Sequence, residues 1–186
     1  PKTIHRCVKN QQIISQSFLL QNIGPHTHPK ISHEGAVMAS QSISHPDYWY
    51  HWVRDAGIVL SSIQEVMSDS ELEPIVQKWT AFEAQLQNTS NPSDLIHQQG
   101  LGEPKFNSDG SAFTLGWGRP QNDGPALRSL AIMKYYRTKS SIPTHVLQIV
   151  KRDLDFLSLH WWRDSYEPWE EIKGYHFYPK IVTYQS

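Results

Sequence analysis

Leu72-Glu73-Pro74-Ile75-Val76-Gln77-Lys78-Trp79-Thr80-Ala81-Phe82-Glu83-Ala84-Gln85-Leu86 decides the fold class. Its apolar residues Leu72, Ile75, Val76, Trp79, Phe82 and Leu86 recur at the i, i+3, i+4, i+7 spacing that lines one face of a helix. Ala56, Val59, Leu60, Ile63 and Met67 form a second such stripe upstream, and Ile13, Ile14, Phe18 and Leu19 a looser one within 10–20. Downstream, Asp123 reads as an N-cap with Pro125 in the first turn, followed by Leu127, Leu130, Ala131 and Lys134. After Pro143 come Val146, Ile149, Val150, Leu154, Leu157 and Trp161, and the apolar segment 177–182 reads as the start of one more helix. Strand patterns do not recur. The expected class is all-α.

The connections are uneven. The one at 138–143 is short, whereas 24–52, 87–122 and 163–175 are long and hold most of the Gly, Pro, Trp and paired charges. Long loops in a compact helical protein are uncommon unless they carry function. Alternating long and short connections suit antiparallel helices that present function at one end.

A chain of 186 residues suffices for one domain, or for a piece of a larger one. A net charge of −1 with no basic block lacks the electrostatic footprint of a nucleic-acid binder. No apolar run approaches the roughly 20 residues of a membrane span. The single Cys7 closes no disulfide within the chain and has no partner for a Cys-based metal site. The first residue is Pro1, so the natural start is expected to lie outside this sequence. Seven Trp, eight Tyr and six Phe are a heavy aromatic load. About half are expected in the core, and the rest as platforms for flat apolar ligands such as the faces of sugar rings.

Three segments carry chemistry. In Pro46-Asp47-Tyr48-Trp49-Tyr50-His51-Trp52-Val53-Arg54-Asp55, alternating rings run into an Arg-Asp pair at a helix start. A flat wall beside donors and acceptors is what sugar recognition needs. The second segment, Gly100-Leu101-Gly102-Glu103-Pro104-Lys105-Phe106-Asn107, leads to Trp117-Gly118-Arg119-Pro120-Gln121-Asn122-Asp123-Gly124-Pro125-Ala126-Leu127-Arg128. Its glycines lack a Gly-Lys-Ser/Thr or a complete GxGxxG, so nucleotide binding is rejected. Trp117, between two glycines, is expected to be an exposed stacking ring. The third segment is Tyr166-Glu167-Pro168-Trp169-Glu170-Glu171-Ile172. There an apolar neighbour, Trp169, and a like charge, Glu171, would push a carboxyl pKa upward, which suits a general acid. His26, His28, His33 and His45 share one loop but lack helical ligand spacing, so local turn chemistry is expected and no metal. Asn88-Thr89-Ser90 is an N-glycan acceptor pattern.

In order and approximate spacing these segments resemble the active-site stretches of the glucoamylases of glycoside hydrolase family 15, fungal and yeast type. The resemblance runs from about residue 46 to 174. It implies an (α/α)6 barrel, with residues 1–186 as the N-terminal portion of a single catalytic domain, about its first half. It implies inverting release of glucose from the non-reducing ends of α-1,4-glucans, without cofactor or metal. Glu170 takes the place of the general acid. Arg54 and Asp55 take those of the residues gripping the terminal glucose, with Tyr48 and Trp52 walling that subsite. Trp117 takes the place of the Trp that supports the acid, Glu171 that of a substrate-binding carboxylate, and Trp169 lines the next subsite. The family commonly has Asp-Leu where this chain has Glu167-Pro168, and a backbone carbonyl at Pro168 remains for substrate. The general base is expected downstream of this sequence, and the resemblance implies a secreted or vacuolar setting. The alternative is a non-catalytic relative that binds glucan through Tyr48, Trp52, Arg54, Asp55 and Trp117.

Overall fold

The computed structural model describes residues 2–95 and 100–186. The helices are α1 (Lys2–Gln21), α2 (Val53–Ile63), α3 (Asp69–Leu86), α4 (Asp123–Tyr136), α5 (Thr144–His160) and α6 (Phe177–Gln185). The expected stripes therefore form helices. The long 87–122 connection includes residues 96–99, which lie outside the described residues.

One core joins α2 to α5. Ala56, Leu60 and Ile63 of α2 meet Leu72, Val76 and Trp79 of α3, Ala131, Ile132 and Tyr135 of α4, and Val146, Ile149 and Val150 of α5. Each Leu, Ile and Val among them contributes roughly 1.5–3 kcal/mol on burial. Gly57 sets the α2–α4 approach, since a Cβ there would lie 2.8 Å from the Leu127 carbonyl carbon. At the start of α3 the Glu71 carboxylate reaches back to the Ser68 N–H at 2.9 Å. α1 begins earlier than its loose stripe suggests. It leaves Ile4, Val8, Ile13 and Phe18 exposed, and packs Leu19 and Leu20 against the core.

Two expectations are corrected. Strands are present: β1 (Tyr50–Trp52) pairs antiparallel with β2 (Lys105–Asn107), and β3 (Ser165–Tyr166) with β4 (Lys173–Gly174). The first register sets Tyr50 against Asn107, His51 against Phe106 and Trp52 against Lys105. Strands this short carry little periodicity, and cross-strand packing stabilises them. Asp123 is also not the N-cap. It is the first residue of α4, after Asn122, and its carboxylate accepts from Arg54 Nη1 at 2.7 Å.

Beneath β1 lies a buried polar network. Arg128 on α4 donates to Glu83 of α3 at 2.8 Å and, through Nε, to Asp153 of α5 at 2.7 Å. Glu83 also accepts from Trp79 Nε1 at 2.7 Å and meets His51 Nε2 at 3.0 Å. Gln87 adds a donor to Asp153 at 2.8 Å. Burial alone would raise the Glu83 carboxyl, but His51 and Arg128 outweigh it and hold it at about 2.

Arg128→Met would leave two carboxylates buried without their cation. It is expected to cost about 3–5 kcal/mol, read as a lower urea midpoint at unchanged m-value. Glu83, ionised in the fold to about pH 2 but to about 4.3 in the unfolded chain, contributes stability that is complete above the unfolded value. That contribution is lost as pH falls toward the folded one. Glu83→Gln is therefore expected to flatten the stability–pH curve below about pH 4.3; an unchanged acid limb would refute this account.

Candidate active site

β1 runs without a break into α2, so Trp52, Arg54 and Asp55 fall within four residues across a strand–helix junction. The β3–β4 pair carries residues 167–172 toward that junction. Glu167 closes the turn between them. Its carbonyl accepts from Glu170 N–H at 2.9 Å, and its carboxylate accepts from Trp169 N–H at 2.6 Å and Glu171 N–H at 3.2 Å. Pro168 fits here because the turn asks nothing of its missing N–H. Glu170 leaves the turn at φ 62°, a left-handed conformation uncommon for a side chain of its size.

That conformation delivers the carboxylate to three donors. Oε1 of Glu170 accepts from Gln121 Nε2 at 2.8 Å, from Trp52 Nε1 at 3.0 Å and from Arg54 Nη2 at 3.4 Å. Arg54 in turn is anchored on Asp123. Gln121 also donates to the Gly118 carbonyl at 3.1 Å, which ties Glu170 to the 117–123 segment. The neighbours read from the sequence lie differently: Trp169 is 84% exposed, and the Glu171 side chain is exposed. Loss of water pushes the Asp55 carboxyl up, reinforced by the Glu170 charge and opposed by Arg54.

These groups border a cleft of about 520 Å³ lined by Ala39, Ser40, Tyr48, Trp52, Arg54, Asp55, Pro168, Trp169 and Glu170. Of the residues singled out in the sequence, Tyr48, Trp52, Arg54, Asp55, Pro168, Trp169 and Glu170 are thus brought together. Glu171 lies off the lining. Trp117 is exposed, as expected, and meets Trp52 edge-on with ring centroids 5.9 Å apart. Gly118 permits this course, since a Cβ there would meet the Tyr166 ring at 2.8 Å.

Three residues escaped the sequence reading. Gln121 and Asp123 stood in a quoted motif, but only folding shows which carboxylate and which guanidinium they meet. Lys105, 2% exposed, lies opposite Trp52 in the strand register. Its ammonium lies 3.2 Å from the Trp117 ring centre, 4.0 Å from Phe113, and 4.5 Å from Tyr50 and Trp52. Burial draws it down to about 8, against the pull of Glu170. Basic and aromatic residues at alternate positions of two strands would have been the signal, had the strands been read. The loop histidines are engaged locally, His26 with Ser32 and the Gln21 carbonyl, and His33 with the Glu34 carbonyl.

Residues 13–186 match the model of glycosyl hydrolases family 15. The chain is 40% identical over 181 residues to a probable glucoamylase of Schizosaccharomyces pombe, covering 92% of this chain and 40% of that relative. It is 36% identical over 193 residues to an intracellular sporulation-specific glucoamylase of Saccharomyces cerevisiae, covering 94% of this chain and 35% of the relative. A solved glucoamylase from Saccharomycopsis fibuligera superimposes with a TM-score of 0.81 at 37% identity, over 94% of this chain and 41% of that one. The Hormoconis resinae glucoamylase does so with 0.89 at 32% identity, over 98% and 33%. The chain therefore spans about 40% or less of the length of these relatives. Its helices are part of an (α/α)6 barrel. Matched over most of its length by the family model and by relatives of like fold, the chain belongs to glycosyl hydrolases family 15.

Proposed function

We propose that this chain forms the N-terminal portion of a single glucoamylase catalytic domain that releases glucose from the non-reducing ends of α-1,4-glucans with inversion. The observation that carries the reading is Glu170, held by Trp52, Gln121 and Arg54 at the edge of a cleft with an aromatic wall.

Glu170 is the general acid. All three donors converge on Oε1, so Oε2 is the oxygen left to carry a proton to the glycosidic oxygen. Arg54 and Asp55 supply donors and acceptors for vicinal hydroxyls of the terminal glucose. Tyr48 and Trp52, in edge contact at 5.8 Å, wall that subsite, Tyr48 with the exposed ring. Trp117 backs Trp52, the Pro168 carbonyl and Trp169 serve the adjoining sugar, and Glu171 stands as a second carboxylate near it. An inverting enzyme also needs a base about 6.5–9.5 Å from the acid. We assign it to polypeptide beyond these 186 residues, a reading that the greater length of the relatives supports.

A secreted or vacuolar setting would fit an N-glycan on Asn88, which is exposed just after α3. Among the described residues no helix is long and apolar enough to cross a membrane. A mass decrease on deglycosylation, absent from Asn88→Gln, checks the modification.

The catalytic reading is tested by glucose release from maltooligosaccharides. The 186-residue chain alone is expected to give no appreciable glucose, and the same residues within a complete barrel a linear signal. In that complete form Glu170→Gln is expected to lower kcat by at least the 10²–10⁴ typical of a positioned acid. Its amide oxygen can still accept from Trp52 and Gln121, so oligosaccharide binding stays measurable. Near-native turnover in that variant would mean that another group donates the proton.

A further inference from the structure

The rings around Lys105 form a closed circuit. Tyr50 meets Trp52 at 5.8 Å, Trp52 meets Trp117 at 5.9 Å, Trp117 meets Phe113 at 5.9 Å, and Phe113 returns to Tyr50 at 5.2 Å. Every contact is edge-on, with interplanar angles from 67° to 87°. The Lys105 ammonium sits over all four rings. Among the described residues no carboxylate lies within ion-pair distance of it. Such boxes of aromatic faces bind cationic ligands. Here the chain fills the box with its own lysine.

An aromatic ring is negative on its face and positive at its edge. A cation at the centre of the box therefore favours rings that turn their faces inward, and a ring so turned holds its edge at right angles to the line joining it to the ammonium. For Trp52 that edge carries Nε1–H, and the atom it meets is Oε1 of Glu170 at 3.0 Å. An uncharged side chain of the same length would fill the volume with a far weaker preference between face and edge.

We propose that Lys105 is a positioning residue for Glu170: its ammonium fixes the orientation of the Trp52 indole and so keeps the indole N–H on Glu170. The importance of this for turnover rests on Glu170 being the proton donor, whereas the orientation itself does not. Burying the ammonium costs the fold stability, because native Lys105 loses its proton near pH 8 and unfolded lysine only near 10.4. Stability from this group accordingly rises across that interval. A purely structural lysine would behave in the opposite way on replacement.

The test follows the indole N–H resonances of the 186-residue chain, with Trp52 assigned by Trp52→Phe and its unbonded position by Glu170→Ala. Lys105→Met is expected to move the Trp52 resonance at least half of the way to the unbonded position, with an unchanged or higher Tm. Lys105→Arg is expected to keep it in place. A folded Lys105→Met chain with an unmoved Trp52 resonance overturns the proposal, and so does a lowered Tm with the resonance in place. Should Lys105→Met not fold, the wild-type chain labelled with 5-fluorotryptophan is titrated from about pH 6.5 to 9.5. The Trp52 signal should then move with a midpoint near 8, and a flat titration overturns the proposal. The charged groups facing Lys105 are Glu170, Asp47, Glu103 and Arg119, and Tyr50 is the titratable ring of the box, so the titration is repeated in Tyr50→Phe. In the complete barrel Lys105→Met should lower kcat about tenfold, part of what a positioned acid supplies, with KM within about twofold and recovery in Lys105→Arg. A moved resonance with unchanged kcat would uphold the positioning and overturn Glu170 as donor.

Discussion

Arg128 holds a carboxylate from each of two other helices, and one of those carboxylates holds the strand that leads into the cleft. Glu83 takes Nη1 of Arg128 on one oxygen, and Trp79 and His51 on the other. His51 is fixed from its far side as well, where Nδ1 accepts the Val37 N–H at 2.9 Å. Since Nδ1 accepts, the ring proton sits on Nε2 and is donated to Glu83. The strand is thus gripped from beneath through His51, while the next residue, Trp52, faces the other way and meets Glu170. Removing Arg128 would cut the polar tie of α3 to α4 and α5 and loosen the anchor of β1, while the apolar core between the helices remained. A buried ionic network of this kind is weak ground for net stability. Its value here is placement, because hydrogen bonds of fixed geometry define one position for β1 where apolar packing would admit several.

Helices were legible because their signal is long. The series from Leu72 to Leu86 covers four turns, and its spacing has no other reading. The strands were not, although their signal stands in the same sequence. Tyr48, Tyr50 and Trp52 alternate with Trp49, His51 and Val53, and the second set is buried throughout. That alternation is the period of a strand. Read as a wall for sugar, it grouped Tyr48 and Trp52, which line one cleft, without the reason they share a face. Lys105 was missed in consequence, since only the register puts it across from Trp52.

The site residues divide in the same manner. Residues contributing to the cleft through local chain direction, Trp52, Arg54, Asp55 and Glu170, could be found from motifs. Those contributing through contacts across the fold could not be assigned partners. Gln121 and Glu170 are 49 residues apart, and Arg54 and Asp123 are 69 apart. The environment of Glu170 is the sharpest difference. The sequence set it between Trp169 and Glu171, but the turn closed by Glu167 sends its backbone into the left-handed region. Its side chain therefore leaves its chain neighbours and meets β1 and the 117–123 segment.

Strain at Glu170 and a desolvated charge at Lys105 are both unfavourable to folding, and both sit within reach of one indole. A conformation such as that of Glu170 persists only where its surroundings over-determine it. Here the turn fixes it through Glu167, and Trp52, Gln121 and Arg54 fix it through Oε1. Every one of those groups lies between residues 52 and 170. The placement of this carboxylate is therefore complete within the chain, whatever further polypeptide faces the cleft. A carboxylate held in this way has one oxygen committed to Trp52, Gln121 and Arg54, while the other takes none of those three donors. That division of labour between two oxygens follows from hydrogen-bond donors that converge on a single side.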